Sequence, residues 1–253
     1  MLEAEHLIVS IGEKEILKDV SFAARPGECV AVIGPNGSGK STLVRTLARI
    51  LPYSGRILLD GAEVRTISRR AYARRVALVS QFQNMAFDMN VLDMVLMGRT
   101  PYKSFLARDT AEDVARARGY LKAVGLEDFA ERNLLALSGG ERQRAVLARA
   151  LNQETDILIL DEATNHLDIY YQLEILSLIK RRQATAICVL HDVNLALAYA
   201  DRLYALKDGK MLSPRRPEEV DPAWIRGLYG VEAVATMIPG TDTHQVLFPP
   251  QGL

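Results

Sequence analysis

The apolar run Cys29-Val30-Ala31-Val32-Ile33 passes directly into Gly34-Pro35-Asn36-Gly37-Ser38-Gly39-Lys40-Ser41, and the residues from Lys40 to Ile50 have helical character. A buried strand, a Gly-rich turn and a helix in this order constrain the chain to an α/β fold with parallel strands. The glycines let backbone N–H groups converge on phosphate oxygens without side-chain clash. The helix N-terminus adds partial positive charge. In this setting Lys40 can bridge the β- and γ-phosphates of a nucleotide, and the Ser41 hydroxyl can ligate Mg²⁺. Thr42 is a further candidate phosphate donor.

Far downstream, Ile157-Leu158-Ile159-Leu160-Asp161-Glu162 is an apolar strand ending in two carboxylates. Ligands of open α/β sheets bind beyond the carboxyl ends of the strands. Asp161 is therefore a candidate to hold hydrated Mg²⁺, and Glu162 to polarise an attacking water. Phosphoryl transfer needs mainly positioning and charge neutralisation, so one oriented base with Mg²⁺ and Lys40 is sufficient.

Strand and helix signals alternate along most of the chain. Strands are expected at His6–Ile11, Ile16–Phe22, Cys29–Ile33, Arg56–Leu59, Val76–Ser80, Ile157–Leu160, Thr185–Leu190 and Arg202–Leu206. Helices are expected at Lys40–Ile50, Asp109–Val124, Gly140–Asn152, Ile169–Arg182 and Val193–Ala200. Between residues 82 and 137 the strand signal gives way to helical stretches, which suggests a helical insertion in the core. After Gly209, six prolines at 214, 217, 222, 239, 249 and 250 predict a small appended segment and a loose end. The basic cluster Arg65, Arg69, Arg70, Arg74 and Arg75 reads as a solvated helix face, or else as a partner contact.

Between the two phosphate-related segments lies Leu137-Ser138-Gly139-Gly140-Glu141-Arg142-Gln143-Arg144. Ser138 and two glycines at a helix start expose N–H groups and a hydroxyl that suit a γ-phosphate. With this octapeptide the chain resembles the ATP-binding cassette ATPases over roughly residues 2–235. The resemblance implies a P-loop nucleoside triphosphate hydrolase fold: a mixed-sheet core at 2–81 and 138–212, a helical signature-bearing subdomain at about 82–137, and an appended segment at 213–253. It implies that Gln81 touches Mg²⁺ and water and leads into a membrane-subunit contact, that Asp168 crosses a dimer interface, and that His191 contacts the γ-phosphate. It also implies that one copy cannot complete the nucleotide site: Ser138, Gly139 and Gly140 would face the Lys40 loop of a second, head-to-tail copy. His6, His166 and His244 gain no such role and read as structural or surface residues. Two positions depart from the family pattern. Ile11 stands where an aromatic ring stacks on adenine, so base selectivity is in question. Ala163 stands where proline is common.

Gly98-Arg99-Thr100-Pro101-Tyr102, Glu162–Ile169, Leu190-His191-Asp192-Val193-Asn194 and Leu228-Tyr229-Gly230-Val231-Glu232-Ala233 look like the importer branch for iron–siderophore, haem and vitamin B12. On local grounds alone, Gly98–Tyr102 is a helix ended by Gly and Pro. The branch implies a cytosolic ATPase on the cytoplasmic face of the inner membrane. Its partners would be integral membrane permease subunits and, through them, an external substrate-binding protein. An ATPase of an exporter or lipid-extraction complex would carry the same catalytic residues. A soluble scaffold of the same family is a third reading.

Composition fits this picture. Lys+Arg and Asp+Glu are both 31, so nothing argues for a nucleic-acid partner. Cys29 and Cys188 each sit in apolar runs and read as small buried hydrophobes in a reducing compartment. No basic-then-apolar leader opens the chain, and no apolar stretch approaches the roughly 18–20 residues that span a bilayer.

Overall fold

The computed structural model describes residues 1–80, 88–104, 107–164 and 167–250. In chain order its regular elements begin with β1 (Leu2–Ile11), β2 (Lys14–Ala24), β3 (Cys29–Ile33), α1 (Lys40–Leu47), β4 (Ser54–Leu59) and β5 (Ala62–Glu63). There follow α2 (Arg69–Ala73), β6 (Val76–Val79), α3 (Val91–Leu96), α4 (Ala111–Ala123), α5 (Gly139–Asn152), β7 (Ile157–Asp161) and α6 (Ile169–Arg181). The chain ends with β8 (Thr185–Val189), α7 (Val193–Tyr199), β9 (Arg202–Lys207), β10 (Lys210–Met211), α8 (Pro222–Tyr229), β11 (Val234–Met237) and β12 (His244–Leu247). Two compact units are formed, one from residues 1–66 with 180–253, the other from residues 67–179.

In the first unit, β2, β1, β4 and β5 make an antiparallel sheet in that order. β1 buries Leu2 and Ala4, then Leu7 and Val9, so its inward-facing positions switch parity. The switch occurs at His6, whose backbone is left-handed (φ 53°) and where the register with β2 shifts. An extra residue at this bulge keeps both apolar pairs on one face. A second layer consists of β9, β3 and β8, all parallel, with β10 antiparallel on β9. β3 and β8 are buried at every position, as parallel strands covered on both faces must be. Cys29 and Cys188 lie within them and are free thiols.

The second unit pairs β6 with β7 in parallel, from Val76 opposite Ile157 to Val79 opposite Leu160. Its helical part packs α3, α4 and α5 together through Val91, Met94, Leu121, Leu134 and Leu147, all buried. α4 opens with a reciprocal cap between Thr110 and Asp113.

The expected elements are present, with shifted ends. α1 stops at Leu47, because Arg49 turns left-handed (φ 60°). The largest difference follows Gly209: that stretch forms α8 and the β11–β12 hairpin. Pro222 sits at N1 of α8, where its missing N–H costs nothing, and Gly230 closes the helix in the left-handed region. The prolines therefore punctuate structure there. Among the described residues, no helix is long and apolar enough to cross a membrane.

Candidate functional site

The phosphate loop joins β3 to α1, and its glycines have separate reasons to be there. A Cβ on Gly34 (φ 148°) would collide with the carbonyl oxygen of Leu206, and one on Gly39 (φ 109°) would come within 2.8 Å of Leu17 Cδ2. These two let the loop settle on the chain beneath it. Gly37 (φ 77°) would meet nothing within 4 Å; with Asn36 it forms the exposed rim. Lys40 is buried, and its Nζ donates to the carbonyls of Gly34 at 2.8 Å and Pro35 at 2.9 Å. The ammonium thus stays inside the loop curve. Ser38 Oγ is buried with no hydrogen-bond partner among the described residues. A buried hydroxyl without a partner is costly unless a ligand satisfies it. α1 has Gly39 at its N-cap and no side-chain cap, and Ser41 and Thr42 lie half-buried in its first turn. No side-chain cap covers its leading N–H groups, and a helix end of this kind favours an anion.

Asp161 is the last residue of β7 and is buried, which is expensive for a carboxylate unless a cation or donors accompany it. Glu162 follows in the left-handed region (φ 54°), half-buried. A non-glycine residue in this conformation carries strain of the sort that clusters at functional sites. Ala163 is buried after it. Among the described residues, no three His, Cys, Asp or Glu side chains are grouped to hold a metal. Mg²⁺ takes one or two hard oxygen ligands from protein and the rest from phosphates and water. The Ser41 hydroxyl and the Asp161 carboxylate are donors of that kind.

Ser138 is the N-cap of α5. Its Oγ accepts from Glu141 N at 3.3 Å, and its own N–H donates to Glu141 Oε2 at 2.7 Å. The Ser138 hydroxyl and N–H hold the Glu141 carboxyl below its usual range. Ser138 thus caps the helix. Ser138 and Gly139 are nevertheless exposed, and a Cβ on Gly139 would meet nothing within 4 Å. This chain's own packing gives no reason for that glycine. Asp168 is exposed and starts α6, where its Oδ1 accepts from Tyr171 N at 3.0 Å. Beside it Ile169, Tyr170 and Leu173 are exposed apolar side chains.

His191 is exposed, two residues beyond β8. Asp192 caps α7, accepting from Asn194 N at 2.7 Å and Leu195 N at 3.2 Å. Ile11 ends β1 with 55% of its surface exposed. His6 is on the surface, with Nδ1 2.6 Å from Asp19 Oδ1. Gln81 and His166 lie outside the described residues.

Sequence reasoning undervalued two groups. The arginine cluster is not simply solvated: Arg70 Nε and Arg74 Nε both donate to Pro101 O, at 2.9 and 2.8 Å. Arg99 lies over the Tyr102 ring at 4.1 Å and bonds Asn152 O and Glu154 Oε2. Gly98–Tyr102 forms a 3₁₀ turn, and a Cβ on Gly98 would run into the carbonyl of Arg149 in α5. The Gly98 motif is therefore a joint onto the C-terminal end of the signature helix, more than a helix stop. The second group is Asn194 with Tyr229; only their presence in the branch-like motifs signalled them.

Residues 17–165 match the family model described as ABC transporter. The petrobactin import ATP-binding protein FpuD of Bacillus anthracis is 39% identical, covering 94% of this chain and 89% of that protein. A structure described as an inward-facing putative metal-chelate type ABC transporter superposes with a TM-score of 0.83 at 25% identity, covering 99% of this chain and 98% of that one. A dimeric ATP-binding cassette in a post-hydrolysis state with ADP and Pi gives a TM-score of 0.75 at 27% identity, covering 86% and 99%. The match extends over more than half the sequence and includes the phosphate loop, the signature helix start and the Asp161–Glu162 pair, so this chain belongs to the ABC transporter family as one of its ATP-hydrolysing cassettes.

Proposed function

We propose that this chain powers an importer of iron–siderophore, haem or cobalamin, working as a head-to-tail pair of copies bound to integral membrane permease subunits at the cytoplasmic face. The observation that carries the paired reading is the exposed Ser138 and Gly139 at the start of α5, where a Cβ on Gly139 would meet nothing within 4 Å. Each ATP would lie between the Lys40 loop of one copy and Ser138–Gly140 of the other. The exposed Ile169, Tyr170 and Leu173 beside Asp168 supply apolar surface for that contact. The dimeric cassette described above is a precedent for the pairing.

In this reading the Gly34–Thr42 loop binds the triphosphate, with Lys40 on the β- and γ-phosphates and Ser38 giving its hydroxyl to a phosphate oxygen. Ser41, Asp161 and Gln81 would hold Mg²⁺, which when bound would supply charge neutralisation at the phosphates. Glu162 orients and polarises the attacking water, and His191 contacts the γ-phosphate. Gln81 leads toward the permease contact, and an external binding protein would deliver cargo to the permease only. FpuD's role in petrobactin import and the metal-chelate transporter structure support the cargo class.

The test is purification of the full chain from its native membrane in mild detergent, followed by ATP-driven uptake in vesicles. Many-helix permease subunits should accompany it, and uptake should need both ATP and an external binding protein. Recovery with an exporter, or with no membrane partner at all, would overturn the importer reading.

A further inference from the structure

The C-terminal hairpin has little core of its own. β11 is exposed throughout, and in β12 only Val246 is buried. A two-stranded hairpin is marginal alone in water, so something must hold it. The holder is Asn194. Its Nδ2 donates to Val246 O at 3.1 Å, and its Oδ1 accepts from Val246 N at 2.7 Å. The side-chain amide thus acts as a neighbouring strand would.

The position of this clamp matters. Asn194 is in the first turn of α7, and its own N–H is the first group bonded by the Asp192 cap. His191 immediately precedes that cap. Hairpin, Asn194, Asp192 and His191 therefore form one short mechanical chain. A cleft of about 670 Å³ opens beside it, lined by His191, Asp192, Val193, Asn194, Tyr229 and Phe248. Tyr229 Oη is buried there. Burial pushes its phenol up to about 12, with the Gly34 backbone acting in the opposite direction. The appended segment thus reaches the His191 turn.

We propose that Asn194 is a positioning residue: by gripping the C-terminal hairpin it fixes the start of α7, and so holds His191 where ATP turnover requires it. This rests on the reading of His191 as a γ-phosphate contact. Two branch-like motifs, one around His191–Asn194 and one around Tyr229, then serve a single purpose that the ATP chemistry alone leaves unexplained.

The experiment combines steady-state ATPase kinetics with amide hydrogen exchange on the full chain. Asn194→Ala should lower kcat about tenfold and change KM for ATP by less than about twofold. In a His191→Ala background the same change should cost less than about twofold, because its effect runs through His191. Amide exchange at residues 192–197 should speed up while β3 stays protected. Val246→Pro removes the N–H that Asn194 accepts, and should reproduce both effects from the other side of the clamp. An equal kcat loss in both backgrounds would mean a general structural role and would overturn the proposal. So would unchanged exchange at 192–197, or unchanged kcat once exchange has risen. Normal turnover by His191→Ala would remove the reading of His191 itself. Slow His191→Ala with normal Asn194→Ala would remove only the clamp.

Discussion

Ser138 and Glu141 cap each other at the start of α5: the serine N–H donates to the carboxylate at 2.7 Å, and the serine hydroxyl accepts from the glutamate N–H at 3.3 Å. The hydroxyl proposed to meet a partner's ATP is thus already in use by the helix, and the two uses can be separated. Asn caps a helix about as well as Ser. Ser138→Asn should leave Tm within about 2 °C while ATP hydrolysis falls at least about tenfold and ATP binding to the monomer stays within about twofold. Calorimetry, turnover and nucleotide titration of the monomer check the three parts. Loss of monomer binding would contradict a site shared between copies.

Glu162, proposed to polarise the attacking water, has a left-handed backbone next to buried Asp161. Glu162→Gln keeps shape and removes the base. Turnover should drop roughly 10²–10⁴-fold, while ATP still binds and a dimer accumulates on size-exclusion chromatography. Near-normal turnover would end the role given to this residue.

The Ser138 cap also has an acid signature. The hydroxyl and N–H of Ser138 lower the Glu141 carboxyl from its ordinary value of 4.5. A depressed folded value means that its contribution to stability is complete above about pH 4.5 and is lost as pH falls through that lower value. Glu141→Gln should therefore be less stable than the parent at neutral pH, with the gap closing on acidification. Melting temperatures from pH 7 to pH 3 would show it, and a constant gap would contradict the assignment.

Ile11 offers an exposed aliphatic surface at the end of β1. Ile11→Tyr should lower KM for ATP about two- to tenfold, the size of a stacking gain of roughly 0.5–1.5 kcal/mol. It should sharpen the preference for ATP over GTP. No change in either would show that the base does not rest on this residue.

Gly98 has no room for a side chain against the Arg149 carbonyl. Gly98→Ala must push α3 and α5 apart, at about 1–3 kcal/mol. Thermal unfolding should shift down by several degrees, and an unshifted melt would show the contact to be loose.

The core strands and most helices were legible because β3, β7 and β8 are unbroken apolar runs and because strand and helix signals alternate around them. The phosphate loop, Asp161–Glu162 and Ser138 stood out as candidates because the proposed chemistry calls for fixed residue types at fixed spacing. The hairpin after Gly230 was not. Its strands are four residues each, mostly exposed, and held by one asparagine about fifty positions earlier. Arg70 and Arg74 escaped for a similar reason: their acceptor, Pro101 O, is a backbone atom distant in sequence, and no side-chain pattern marks it.

The contact of Gly98 on Arg149 leaves no side chain to act as a cushion. α5 has 14 residues and is therefore about 21 Å long. It is a stiff rod with the signature serine at one end and this joint at the other. Flexible rotamers at a joint absorb displacement as backlash, but a carbonyl set against a glycine Cα has none to absorb. A joint built this way would pass a small movement of the Ser138 end on to the Arg99–Tyr102 turn with little loss, and a push on that turn would return along the same helix.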